Sequence, residues 1–89
     1  MQDDFEAKTW RLLEAIYELS NGSPETTVLS AKVAARTDIP HTLDDFYRSA
    51  RHLKELGLIR TTSIAGVGIV GMFRLTPRGI RLVEAVRPA

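Results

Sequence analysis

The chain has 89 residues, 44% of them hydrophobic, and a formal net charge of +1. That is apolar material for one core, with no length left for a second domain or an elaborate catalytic cleft. Cysteine is absent, which excludes a disulfide framework and a thiolate metal site and suits a reducing cytoplasm. No run of about 18 apolar residues and no basic-then-apolar leader occurs, so neither a membrane span nor a secretory signal is expected.

In chain order, Asp3 or Asp4 opens an amphipathic helix reaching residue 20. Phe5, Leu12, Leu13, Ile16, Tyr17 and Leu19 gather on one side of it, and Trp10 lies at the border. Asn21-Gly22 closes this helix and Ser23-Pro24-Glu25 reads as a loop. Thr26 to Val28 has the length of a brief strand. Ser30 is a natural N-cap for a short helix from Ala31 to Thr37, to which Leu29, Val33 and Ala34 supply apolar contacts. Pro40 denies Ile39 a helical continuation, so the chain turns and restarts near Thr42.

The next helix runs from Leu43 to Leu56. Thr42 and Asp45 form a capping box, and Phe46, Ala50 and Leu53 recur at spacings of four and three. One face is thereby committed to a core. At 100° per residue the opposite face carries His41, Asp44, Arg48, Arg51, His52 and Glu55. Gly57 stands where a left-handed helix terminus is wanted, and Leu58-Ile59 lead directly into a strand.

Ile59 to Ile64 is rich in Thr and Ile, Ile69 to Leu75 is apolar and branched, and the glycines of Ala65-Gly66-Val67-Gly68 permit a reversal between them. In the second strand, Ile69, Gly71, Phe73 and Leu75 point one way, and Val70, Met72 and Arg74 point the other. Thr76-Pro77 then opens a last helix with a capping hydroxyl and a proline at the first helical position. Ile80, Val83 and Val86 give that helix a buried edge, and Pro88 stops it.

This order, helix, short strand, helix, helix, hairpin, helix, describes a mainly α member of the α+β class, a winged helix-turn-helix in one domain over 1–89. Residues 1–20 form the N-terminal helix, 30–57 the helix-turn-helix, 58–75 the wing and 76–87 the C-terminal helix. Charge is unevenly distributed. Residues 1–40 hold four basic and seven acidic groups, 41–57 three of each, and 58–89 five arginines and one glutamate. Positive potential therefore lies on the hairpin and last helix, where a duplex backbone could run, unless those arginines pair with Glu14, Glu18 or Glu84.

Enzyme chemistry is not expected. His41 and His52 have no clustered acids with which to hold a metal, Asp44 and Asp45 diverge around their helix, and no Ser or Thr has an activating partner. Gly66, Gly68 and Gly71 have the spacing of a dinucleotide fingerprint, but they lie within a hairpin rather than opening a helix. No cofactor is implied.

Leu53-Lys54-Glu55-Leu56-Gly57-Leu58-Ile59 and Phe73-Arg74-Leu75-Thr76-Pro77-Arg78-Gly79 resemble two landmarks of winged-helix transcriptional regulators of the MarR and PadR type. The resemblance covers Ser30 to Val86 and departs from the family in an uncharged wing tip and in Asp44 and Asp45 at the start of the reading helix. It implies a double-stranded DNA partner and a homodimer, with the Leu43 to Leu56 helix in the major groove. On that basis Thr42 is a phosphate contact, Arg48 the direct reader of guanine, and Arg51 and His52 flanking phosphate contacts. His41 and Ser49 are marginal additions, and Arg60, Thr61, Thr62 and Arg74 are backbone contacts from the wing. Each has a structural alternative: Thr42 a cap, Arg48 a bridge to Asp44, Arg51 a bridge to Glu55. Trp10, Leu82 and Val86 on the terminal helices, with Val70 and Met72 on the wing, are the expected dimer or partner surface. The apolar wing also supports a second reading, a protein-interaction module.

Overall fold

A computed structural model describes residues 4–37, 43–63 and 70–86, with side chains over 7–37, 45–62 and 71–86. Among them are four helices and three strands: α1 (Asp4–Ser20), β1 (Val28–Leu29), α2 (Ser30–Arg36), α3 (Leu43–Glu55), β2 (Ile59–Ser63), β3 (Val70–Leu75) and α4 (Pro77–Val86). The class is α+β and mainly helical. No helix among the described residues is long and apolar enough to cross a membrane.

The strands form an antiparallel sheet in the order β1-β3-β2. Alternation sends Gly71, Phe73 and Leu75 inward and leaves Met72 half-buried and Arg74 exposed, as the period of two requires. β1 lies later than the sequence reading placed it. Val28 opposes Phe73 and Leu29 opposes Met72. Leu29 is consequently on the outer face, 47% exposed, and does not make the core contact expected of it.

Leu12, Leu13 and Ile16 of α1 meet Val33 of α2, Phe46, Ala50 and Leu53 of α3, Phe73 and Leu75 of β3, and Val83 of α4 in one buried cluster. The Phe46 and Phe73 ring centroids are 6.0 Å apart at 56°, which seats α3 on the middle strand. α4 buries Gly79 and Val83, whereas Val86 is 57% exposed. The edge expected along Ile80, Val83 and Val86 thus ends a turn early: Gly79 lies on the same side of α4, seven residues before Val86, and that side is covered at Gly79 and Val83 but not in the last turn.

The helix ends explain the placement of these elements. α1 stops at Asn21 (φ 56°) and Gly22 (φ 71°), with the Gly22 N–H donating to Tyr17 O at 3.0 Å. α2 begins one residue before its expected first position. Leu29 is the flanking residue and provides no side-chain cap, so Ser30 belongs to the helix and does not cap it. At its other end the Arg36 carbonyl accepts from Arg11 Nη2 at 3.1 Å. Arg11 and Arg36 also converge on Glu18, at 3.4 and 3.0 Å, binding α2 to α1. Burial opposes ionisation of Glu18, but hydrogen bonds and charge from the two arginines outweigh it and hold the carboxyl below its ordinary range.

The end of α3 organises the rest. Gly57 (φ 76°) terminates α3, with its N–H donating to Lys54 O and the Leu58 N–H to Leu53 O, both at 3.0 Å. The Gly57 carbonyl then accepts from Thr76 Oγ1 at 2.6 Å, and the Leu58 carbonyl accepts from the Thr76 N–H at 3.1 Å. Thr76 Oγ1 in turn accepts from the Gly79 N–H at 3.0 Å, the expected cap of α4. The two sequence landmarks are one hydrogen-bonded lock at the base of the β2–β3 ribbon.

Candidate nucleic-acid interface

The outward face of α3 follows from its buried one. Phe46, Ser49, Ala50 and Leu53 are enclosed, so Arg48, Arg51, His52 and Glu55 are turned to the surface. Arg48 keeps 61% of its side chain exposed. Its Nη1 is 3.9 Å from Asp45 Oδ1, and Asp45 Oδ2 receives Lys8 Nζ from α1 at 3.1 Å. Arg48 therefore leans on Asp45; the Asp44 side chain lies outside the described residues. Such a surface pair contributes at most about 1 kcal/mol. No ion pair joins Arg51 to Glu55 among the described residues.

Ser49 is not a surface residue. It is 2% exposed and its Oγ accepts a hydrogen bond from Thr9 Oγ1 at 3.0 Å, a buried link between α3 and α1. This corrects its assignment as a DNA contact, and spacing alone carries the reason: three residues after Phe46 falls inside the apolar stripe. His41 and Thr42 lie outside the described residues, as do the Pro40 turn, the 64–69 reversal and the side chains of Phe5 and Val70.

On the sheet, alternation divides the remaining candidates. Arg60 and Thr62 are exposed on the outer face. Thr61, opposite Phe73, shares the inward row of Ile59 and is half-buried, which removes it from the outer set. Arg74 is the register partner of Arg60, so two exposed guanidinium groups occupy directly opposed positions. Like charges placed that way destabilise a sheet. No carboxylate pairs with Arg60, Arg74, Arg78 or Arg81 among the described residues. Of the acids named as possible partners, Glu14 and Glu18 lie beside Arg11, and Glu84 accepts from the Tyr17 hydroxyl at 2.9 Å.

The expected partner surface is divided. Trp10 is half-buried against the core, Leu82 is 39% exposed, Val86 is exposed, and Met72 is half-buried on the outer sheet face beside Leu29. What sequence reading missed is a cleft of about 190 Å³ between α1, α3 and α4, with Trp10, His52, Leu56 and Leu82 on its walls and Leu13 and Leu53 below. Leu56, 44% exposed, was the available signal, a large apolar residue beyond the buried stripe of its helix. Comparison with protein-family models, curated proteins and solved structures gave no match.

Proposed function

We propose that this protein is a winged-helix binder of double-stranded DNA, of the transcription-regulator type, with α3 as the major-groove element and the β2–β3 ribbon as a backbone-contacting wing. The observation that carries the reading is the opposed pair Arg60 and Arg74, exposed and without a carboxylate partner among the described residues. Two like charges held side by side are unfavourable alone and become favourable when a phosphate lies between them. The outward Arg48, Arg51 and His52 support it, since a planar guanidinium one turn into a groove-seated helix can bridge guanine O6 and N7. In a homodimer, two such helices about 34 Å apart would meet successive turns of the major groove.

Titration with mixed-sequence duplex at 50 and 200 mM salt tests this, because neutralised phosphates make affinity fall steeply with ionic strength. Replacing Arg60 and Arg74 by Ala should lower the salt slope by about 1 for each phosphate that is no longer neutralised. On a selected operator, Arg48→Ala should cost about 1–3 kcal/mol. Absence of low-salt binding would reject the proposal. A protein-interaction module is the second reading, favoured by Leu29 and Met72, apolar register partners on the outer sheet face.

A further inference from the structure

The cleft between α1, α3 and α4 continues into a second hollow of about 390 Å³ that shares Leu56, Leu58 and Leu82 and adds Arg78 and Arg81. The trough is apolar along its length and basic at one end, and no Asp or Glu lines either part among the described residues. Its floor is finished core: Leu13, Leu53 and Leu58 are buried. Its rim is not, since Leu56 and Leu82 stay exposed and both arginines are exposed without a carboxylate partner among the described residues.

We propose that this trough docks an acidic amphipathic helix of a partner protein, with Leu- or Phe-sized side chains between Leu56 and Leu82 and carboxylates against Arg78 and Arg81. Charge selects this occupant over the others. A two-fold interface with a second copy through the same patch would bring two sets of the same arginines together, and no Asp or Glu lines either part of the trough among the described residues. A nucleic-acid backbone would satisfy the arginines and leave the leucines in water. An apolar stripe flanked by carboxylates matches both halves, in the manner of a helix laid in a groove.

Trp10 is the single tryptophan of the chain and stands in the wall of the cleft, so its fluorescence reports occupancy directly. The full chain is titrated with a synthetic helical peptide carrying Leu at i, i+3 and i+7 between Glu residues, and with a control in which every Glu is Lys. Saturable change in Trp10 emission is expected with the acidic peptide, at least tenfold tighter than with the basic one. The Arg78→Glu/Arg81→Glu variant should lose at least tenfold in affinity for the acidic peptide and regain binding of the basic one, a reversal that loss of folding cannot produce. Leu82→Gln, at an exposed site, should abolish the change while leaving the thermal melt in place.

Equal affinity for the two peptides, or no response to either at millimolar concentration, overturns the proposal. So does a concentration-dependent doubling of mass in peptide-free solution that Leu82→Gln removes, because the trough then belongs to a second copy. Duplex DNA that displaces the acidic peptide from the parent chain but binds the Arg78→Glu/Arg81→Glu variant at least tenfold more weakly assigns the arginines to phosphate and overturns it too.

Discussion

Replacing Gly79 by Ala sets two well-known effects against each other. Inside a helix, Ala is favoured over Gly by about 1 kcal/mol, so propensity alone predicts a more stable protein. Packing predicts the reverse. A Cβ at Gly79 would overlap the Leu58 carbonyl oxygen and lie 3.1 Å from its carbon, and these are backbone atoms that cannot rotate aside. Relief requires α4 to back away from Leu58, which strains the 3.1 Å bond from the Thr76 N–H to Leu58 O and the 2.6 Å bond from Thr76 Oγ1 to Gly57 O. Overpacking of this kind costs about 1–3 kcal/mol and a broken hydrogen bond about 1 kcal/mol more. Less the propensity gain, Gly79→Ala should destabilise by about 1–3 kcal/mol. For a domain of this size each kcal/mol moves the midpoint by about 4–8 °C. Urea titration with parallel thermal melts measures it, and a variant as stable as the parent would refute the close approach of α4 to Leu58.

A Cβ at Gly57 would meet only the Arg78 Cδ, at an ordinary 4.0 Å, but Gly57→Ala must hold φ near +76°, so a loss of about 1–2 kcal/mol is expected in the same urea assay. Ser49→Ala should cost about 1 kcal/mol, and a double-mutant cycle with Thr9→Val should return a coupling of about 0.5 kcal/mol or more, whereas strict additivity would remove the Thr9–Ser49 bond. Glu18→Gln should lose at most about 1 kcal/mol at neutral pH. Because the folded carboxyl titrates below its ordinary 4.5, that loss should be full above this pH and vanish as pH falls through the lowered value; a pH-independent difference would count against the arginine pairing.

Local grammar made much of the fold legible. Phe46, Ala50 and Leu53 mark the buried side of α3, Gly57 marks its end, and Thr76-Pro77 marks the start of α4; each depends on a few neighbouring residues. The errors arise where a distant partner decides. Ser30 has the chemistry of a cap, but strand pairing of Leu29 with Met72 makes Leu29 the residue that flanks the helix. Val86 continues an apolar spacing of three and shares a side of α4 with the buried Gly79, yet it is 57% exposed, because a position on the right side is buried only where another element lies over it. Of the candidate site, Arg48, Arg51, His52, Arg60, Thr62 and Arg74 could be oriented from periodicity, and all are exposed. Ser49 could not be assigned its partner, because Thr9 lies 40 residues earlier. The trough by Trp10 depends on three helices meeting, which no single window of sequence contains.

The bonds from Thr76 to Gly57 and Leu58 tie the end of α3 to the base of the β2–β3 ribbon. On the proposed DNA-binding reading, a duplex engaged by both would meet two probes whose relative angle these bonds restrain. Conformational adjustment on binding would then fall more to the nucleic acid, and pyrimidine–purine steps, which bend most cheaply, would be favoured at positions no side chain touches.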